Sequence, residues 1–363
     1  MIRNSFLKFF LFLVVLLFLA RLEKGSAAAL PSILVVDPIS EAQKRIVLNQ
    51  NEYHGNGFDI LILNNKIYMV GSLGNEDFTK SQAVIWIINL DDYQLLDTII
   101  LGEGSANAIT KSSNELIISG NSNSNATVWI MNNSDVVVKE FKLSSKRSLI
   151  RDAIYLNSKI CAVGSVNSLS YLWVCDIDGN ITTSLNLSTG RAFSIVNDTQ
   201  NYYIFGDDFS SALEWVVEMT SPTTYSKFIL NSSGIASDST IINGLWYATI
   251  GSESRGIISR GTNAIHENFE FDTGFTPCSI TNDSNNLYFV NQNLMSYNSQ
   301  LVVCDLNLNV LSKIILNSGF NSTNSLLYDS GKLYIPGNYN LDASDPIVEA
   351  LNKYSPAKFQ VGL

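Results

Sequence analysis

Charge and histidine are both scarce in this chain. Only 15% of its 363 residues are charged, and histidine occurs twice, at His54 and His266. Two histidines cannot assemble most catalytic zinc or copper sites. The four cysteines, Cys161, Cys175, Cys278 and Cys304, include no pair at CxxC spacing. No metal and no cofactor are therefore expected. Basic clusters are missing as well: 23 Lys+Arg face 33 Asp+Glu, a formal net charge of −10. With an isoelectric point near 4.7, the chain lacks the cationic footprint that displaces phosphate counterions, so no nucleic-acid partner is expected. After Leu30 no window of ten or more residues shows a capped, 3.6-residue apolar period, and no apolar run reaches transmembrane length. Disorder is excluded by what is plentiful, since 46% of residues are hydrophobic and the mean hydropathy is +0.12.

The first 29 residues stand apart. Arg3 and Lys8 lead into the apolar run FFLFLVVLLFLA (9–20), and Ser26-Ala27-Ala28-Ala29 follows. This is the order of a secretory signal. Its twelve apolar residues span about 18 Å as a helix, short of a hydrocarbon core of roughly 30 Å. Residues 1–29 are read as a signal peptide and 30–363 as a mature domain without a membrane span, secreted or held at the cell surface. A retained N-terminal membrane anchor is the alternative. Eight Asn-x-Ser/Thr sequons, at Asn125, Asn132, Asn180, Asn186, Asn197, Asn231, Asn282 and Asn321, would fit a glycoprotein. About as many arise by chance in so Asn- and Ser-rich a chain.

The remainder is a repeat. A short β-type phrase recurs as KIYMVG, LIISG, KICAVG, YYIFG, WYATIG, LYFVN and KLYIPG, ending at Gly71, Gly120, Gly164, Gly206, Gly251, Asn291 and Gly337, with a mean interval of about 44 residues. Each copy reads as four strands: an apolar stretch, an Asn/Ser/Gly turn, the phrase itself, and an outer hairpin such as YLWVCDIDGNITTSLNL (171–187). A second marker, Gly57, Gly104, Gly190, Gly234, Gly274 and Gly319, precedes the first strands where the chain must turn sharply. Seven copies at this period predict an all-β propeller of seven four-stranded blades, with an eighth, partial blade as the alternative.

Closure has a candidate in the sequence. ILVVDPISEAQKRIVLN (33–49) aligns without a gap to the outer hairpin of the sixth unit, LVVCDLNLNVLSKIILN (301–317). This N-terminal hairpin could complete the last blade and remove open strand edges. The stretch 347–363 also reads as an outer hairpin, and both assignments remain open.

Phrases such as KICAVGSVNSLSYLWVCDIDGNITTSLNL resemble the repeats of secreted bacterial and archaeal β-propellers, loosely "xIYVVGSxxxxxxVWVIDxxGNxxxxxxL". The likeness spans nearly the whole mature chain. No Gly-His…Trp-Asp pair recurs as in WD40 repeats, and no double glycine as in kelch repeats. The resemblance implies a fold and an extracellular setting, and no activity.

In a propeller the residues that enter each innermost strand converge on one mouth of the channel. Those positions hold Asp59, Asn107, Arg151 with Asp152, Arg191, Asp238, Thr276 and Asn324. Arginines in such a ring can hold a carboxylate or sulfate, and aspartates a cation or sugar. A solvent-filled funnel is polar in any case. Paired carboxylates also suit glycoside cleavage, with Asp152 and Asp238 as candidates and Asp59 as a third. Cys161 and Cys175 fall on consecutive strands, where a disulfide is possible in an oxidising compartment. Cys278 and Cys304 lie two strands apart, about 9.5 Å, and are expected as free thiols. His54 is read as a loop residue near the mouth and His266 as surface. Trp129, Trp173 and Trp215 recur at corresponding third-strand positions, which marks packing between units. Two functional readings follow: a non-catalytic binding or scaffold module for a surface protein or glycan, or a carbohydrate-active hydrolase or lyase acting through mouth carboxylates.

Overall fold

Apolar side chains on both sides of a strand, as in the recurrent phrase, suit a sheet covered on both faces. The computed structural model describes residues 29–48, 54–74, 81–252, 255–262, 265–273, 275–293, 299–316, 320–321 and 325–340. Among these residues every regular element is a strand. Blade 3 pairs Ser148–Leu156, Lys159–Val166, Leu169–Cys175 and Ile181–Thr189 in that order, antiparallel throughout. Blades 4 (191–231), 5 (235–273) and 6 (275–315) repeat this order. Blades 1 and 2 share one 17-residue strand, Leu95–Lys111. Its first half closes blade 1 against Ser81–Asn89, and its second half opens blade 2 against Glu115–Ser122.

Blade 7 joins the two ends of the chain. Lys332–Asn340 pairs on one side with Leu327–Asp329 and on the other with Ala29–Val36, which pairs with Gln43–Val47. The architecture is a seven-bladed β-propeller. Residues 1–28 and the stretch 347–363, and with them the signal segment and the surplus C-terminal hairpin, lie outside the described residues.

Two-residue turns join most first and second strands. Asn64-Asn65, Asn157-Ser158 and Asn243-Gly244 all have positive φ at both positions. That conformation matches the strand twist, and Asn and Gly tolerate it best. At the outer hairpins an Asp or Asn side chain caps the turn. Asp176 accepts N–H bonds from Asp178 and Asn180, and Asp305 from Asn307 and Asn309.

Alternation along each strand sends side chains to opposite neighbours. On blade 3, Cys161, Val163 and Leu172 pack with Ile195, Ile204 and Trp215 of blade 4. Ile160, Ala162, Trp173 and Cys175 pack the other way, with Ile117, Val128 and Ile130 of blade 2. This corrects the expected Cys161–Cys175 bridge: Cys161 lies opposite Val174, the two sulfurs sit on opposite faces of the blade, and all four cysteines are free. The Cys161 thiol instead lies 3.1 Å from the Tyr202 hydroxyl. Trp86, Trp129, Trp173 and Trp215 are fully buried on third strands, each against the preceding blade. Trp86 belongs to this series, although the sequence reading grouped only the other three.

His266 also differs from expectation. It opens the outermost strand of blade 5, yet its side chain is only 18% exposed and its Nε2 is 3.0 Å from Oε2 of the buried Glu214 in blade 4. Its ring packs against Phe228 and Trp246 at 5.1 and 5.3 Å. The start of that outer strand leans on the neighbouring blade, so an outermost position is not an exposed one.

Every first strand from blade 1 to blade 6 carries a β-bulge at the same place, after Gly57, Ala106, Ile150, Ala192, Ala236 and Pro277. Here two residues face one on the partner strand. Glycine at the end of the recurrent phrase is a consequence. A Cβ on Gly71, Gly120, Gly164 or Gly206 would run into the backbone carbonyl oxygen of Asn56, Ser105, Leu149 or Arg191. In blade 5 the register places Ile250 at this position, and Gly251 stands one residue beyond it. Gly164→Ala is expected to lower the unfolding free energy by roughly 2–3 kcal/mol, because backbone must move. Gly331→Asn, at a turn with φ of 82° and open space around it, is expected to change it by less than about 1 kcal/mol. Urea unfolding of both variants measures the contrast.

Candidate functional site

The bulge also builds the channel mouth. A residue inserted in this way is re-aimed, and the six bulges direct Phe58, Asn107, Arg151, Phe193, Ser237 and Cys278 to the wall of one open cavity of about 840 Å³. That volume falls within the range of about 300–1,000 Å³ usual for ligand pockets. The following residue in each strand, Asp59, Ala108, Asp152, Ser194, Asp238 or Ser279, lies at the boundary between blades.

The three aspartates at that boundary act alike. Asp59 accepts an N–H bond from its neighbour Ile60 and another from Ile109 of blade 2, both at 2.8 Å. Asp152 takes those of Ala153 at 2.7 Å and Ile195 of blade 4 at 2.9 Å. Asp238 takes those of Ser239 and Ile280 of blade 6, both at 2.8 Å. Each carboxylate thus ties its own inner strand to the next. Hydroxyls assist: Ser325 donates to Asp59 at 2.6 Å, and Ser194 lies 3.5 Å from Asp238. Where aspartate is absent, Asn107 donates to the Ile150 carbonyl of blade 3 at 2.7 Å, and Ser194 meets Ser239 of blade 5 at 2.8 Å. Burial pushes the Asp59 carboxyl up to about 7. Burial also raises Asp152, and it raises Asp238 well above the usual carboxylate range, helped there by the charges of Asp152 and Asp59.

The cations stand nearer the opening. Arg191 lies opposite Asp207 across the first two strands of blade 4. Its Nε donates to the buried Asp207 at 3.1 Å, and one terminal nitrogen contacts the other carboxylate oxygen. The Arg191 guanidinium lies 5.2 Å from the Phe193 ring centre and 5.3 Å from that of Phe209. Arg151 reaches the same Phe193 ring at 5.4 Å. Its side chain is exposed to the cavity, and among the described residues it has no carboxylate partner. Desolvation by the surrounding cavity wall, and then the charge of Arg191, lowers its pKa.

The predicted mouth residues therefore fall into several registers. Asn107 and Arg151 are bulge residues facing the cavity, while Asp59, Asp152 and Asp238 follow bulges and line the same cavity with their oxygens bonded to amides of their own strand and the next blade. Arg191 and Thr276 precede bulges and line the rim. Asn324 and the side chain of His54 lie outside what is described. Sequence reading missed Phe193, Phe209 and Asp207. Asp207 had a usable signal, since it directly follows the phrase glycine Gly206 and is therefore cross-strand from Arg191. Among the described residues no group of three or more His, Cys, Asp and Glu is placed to hold a metal. No helix there is long and apolar enough to cross a membrane.

Solved structures share this ring of blades. Hydrazine synthase of Kuenenia stuttgartiensis is similar with a TM-score of 0.57 at 10% identity, over 74% of this chain and 88% of that one. The Cps50 (Swd1) β-propeller domain of Myceliophteria thermophila gives 0.53 at 8% identity, over 81% and 99%. A quinonprotein alcohol dehydrogenase-like protein of Bacteroides thetaiotaomicron gives 0.54 at 13% identity, over 79% and 69%. The likeness is one of fold. No protein-family model matches the chain, and no curated protein matches it.

A carboxyl whose pKa is raised on folding binds its proton more tightly in the native state. Stability is then greatest below the unfolded pKa and is lost as pH rises through the folded value. For Asp59 that window runs from about 4 in the unfolded chain to about 7, and Asp152 and Asp238 shift in the same direction. The melting temperature is expected to fall between pH 5 and pH 8 in scanning calorimetry. A curve that rises across this interval would show the three carboxyls to be ordinary acids.

Proposed function

We propose that the chain is an exported, non-catalytic propeller that binds a surface protein or a glycan at the Arg151 mouth of its channel. One observation carries this reading: the carboxylates that chemistry would need are engaged in holding the ring together. Glycoside cleavage requires two carboxyls with different tasks, one acid and one base or nucleophile, facing one substrate. Asp59, Asp152 and Asp238 instead repeat a single task in alternate blades, each accepting an amide from its own strand and one from the next. Raised carboxyl pKa values do cluster at active sites, but here they arise from burial at a seam that recurs around the ring.

The export part of the proposal rests on the charged, apolar and small-residue order of residues 1–29. Of the eight sequons, Asn180 and Asn186 are exposed at the outer edge of blade 3, where an attached glycan has room. A retained N-terminal anchor is the variant of this reading in which the ring stays at the membrane surface.

Two measurements test it. Protein recovered from the medium of expressing cells is expected to begin near residue 30 by N-terminal sequencing. Incubation with a panel of polysaccharides is expected to release no reducing ends or unsaturated products, while array or surface-capture experiments detect binding. Cleavage products that disappear in Asp152→Asn would establish the hydrolase or lyase reading in its place.

A further inference from the structure

The mouth holds two features that holding the ring together does not explain. Arg151 is an exposed guanidinium inside a cavity, close enough to Arg191 for their charges to oppose each other, and among the described residues no carboxylate answers it. Asp207 neutralises Arg191 alone, and it does so through Nε and one terminal nitrogen, leaving the other terminal nitrogen without a partner among the described residues. Arg151 is thus a guanidinium without an ion-pair partner among the described residues, in a chain whose net charge is −10. The other acids lining the cavity, Asp59, Asp152 and Asp238, have carboxylate oxygens turned to strand amides, and none is paired with Arg151 or Arg191. Planar guanidinium donors in this state suit a planar carboxylate or a sulfate, which they grip through paired N–H bonds.

The second feature is Phe209. It stands in the turn after the second strand of blade 4 with φ of 72° and is 54% exposed. A bulky side chain in the left-handed region is strained and persists where the surroundings impose it. Here the Asp208 carboxylate accepts the Ser211 N–H at 2.9 Å and holds the turn. The result is an apolar face displayed beside the cation pair, over Arg191. Ser210, Ser233 and Ser252 add hydroxyls around the same cavity. Fork-shaped cations, an exposed aromatic face and a rim of hydroxyls together match a polyhydroxylated ring that bears an acid. An acidic peptide would satisfy the cations but has no particular use for the aromatic face.

We propose that the channel mouth binds an anionic sugar residue, with its carboxylate or sulfate held by Arg151 and the free nitrogen of Arg191 and its ring laid against Phe209. This assignment rests on the binding reading above and adds the ligand class. Isothermal titration of the purified protein distinguishes the sources of the charge: trigalacturonate carries carboxylates, a κ-carrageenan tetrasaccharide carries sulfates without carboxylates, and a neutral galactose trisaccharide carries neither. At least one acidic sugar is expected to bind at a single site, about tenfold or more tighter than the neutral one. Arg151→Ala is expected to weaken it about tenfold or more, and Arg151→Lys by less. Both variants should keep the wild-type melting temperature, since the Arg151 side chain is exposed and makes no hydrogen bond to the described residues. Phe209→Ala should weaken acidic and neutral sugars alike.

Equal binding of acidic and neutral sugars, indifference to Arg151→Ala, no sugar binding at all, or binding of penta-aspartate alone each overturns the proposal. Such results would leave a binding module with a different ligand, whereas failure of the binding reading itself appears separately, as polysaccharide cleavage abolished by Asp152→Asn. Should Arg151→Ala fail to fold, Arg151→Gln keeps the side-chain length and polarity and gives the same comparison.

Discussion

One inserted residue in each first strand governs the centre of this molecule. The bulge re-aims a side chain toward the channel, brings a backbone carbonyl against the opposing strand so that glycine is required there in four blades, and places the next residue at the seam between blades. Cavity wall, tight strand contact and seam are one geometric event repeated around the ring. Without it, strict alternation would leave the aspartates and the cavity residues in a different partition between channel and blade boundary.

The seam also explains how so few charges are used. Aspartate occupies it in blades 1, 3 and 5, with Ala108, Ser194 and Ser279 between them, so each acid is separated from the next by a small neutral residue. The apolar layers between blades need few charges, the buried Glu214 against His266 being one, and each contains buried aliphatic or aromatic side chains from both neighbours. Cations then become conspicuous where they do gather, at Arg151 and Arg191.

Much of the fold was legible in the residue order. The period of about 44 residues, the tryptophans of the third strands and the Asn-rich turns all express local rules, and local rules survive in sequence. The site was less legible because a bulge leaves no periodic trace: adjacent residues Arg151 and Asp152 have opposite roles, and Phe193 is hidden between Arg191 and Ser194 without a motif. The cysteine assignment failed for a related reason. Cys161 and Cys175 are on neighbouring strands, but register, offset by one residue, puts them on opposite faces. His266 was misread because an outer strand can lean on the preceding blade, a contact between units that no repeat unit contains by itself.

The composite seventh blade has a consequence for how the protein reaches its native state. Val36 pairs with Leu333, so the first strand of the ring can find its partner only when the last blade is available. Until then Ala29–Val36 presents an unsatisfied, strongly apolar edge, which is the kind of segment that recruits wrong partners. Pairings this distant in sequence form slowly. A cell making this protein faces a prolonged interval in which a nearly finished ring is open at one joint, and the demand on chaperones should fall on that joint rather than on any single blade.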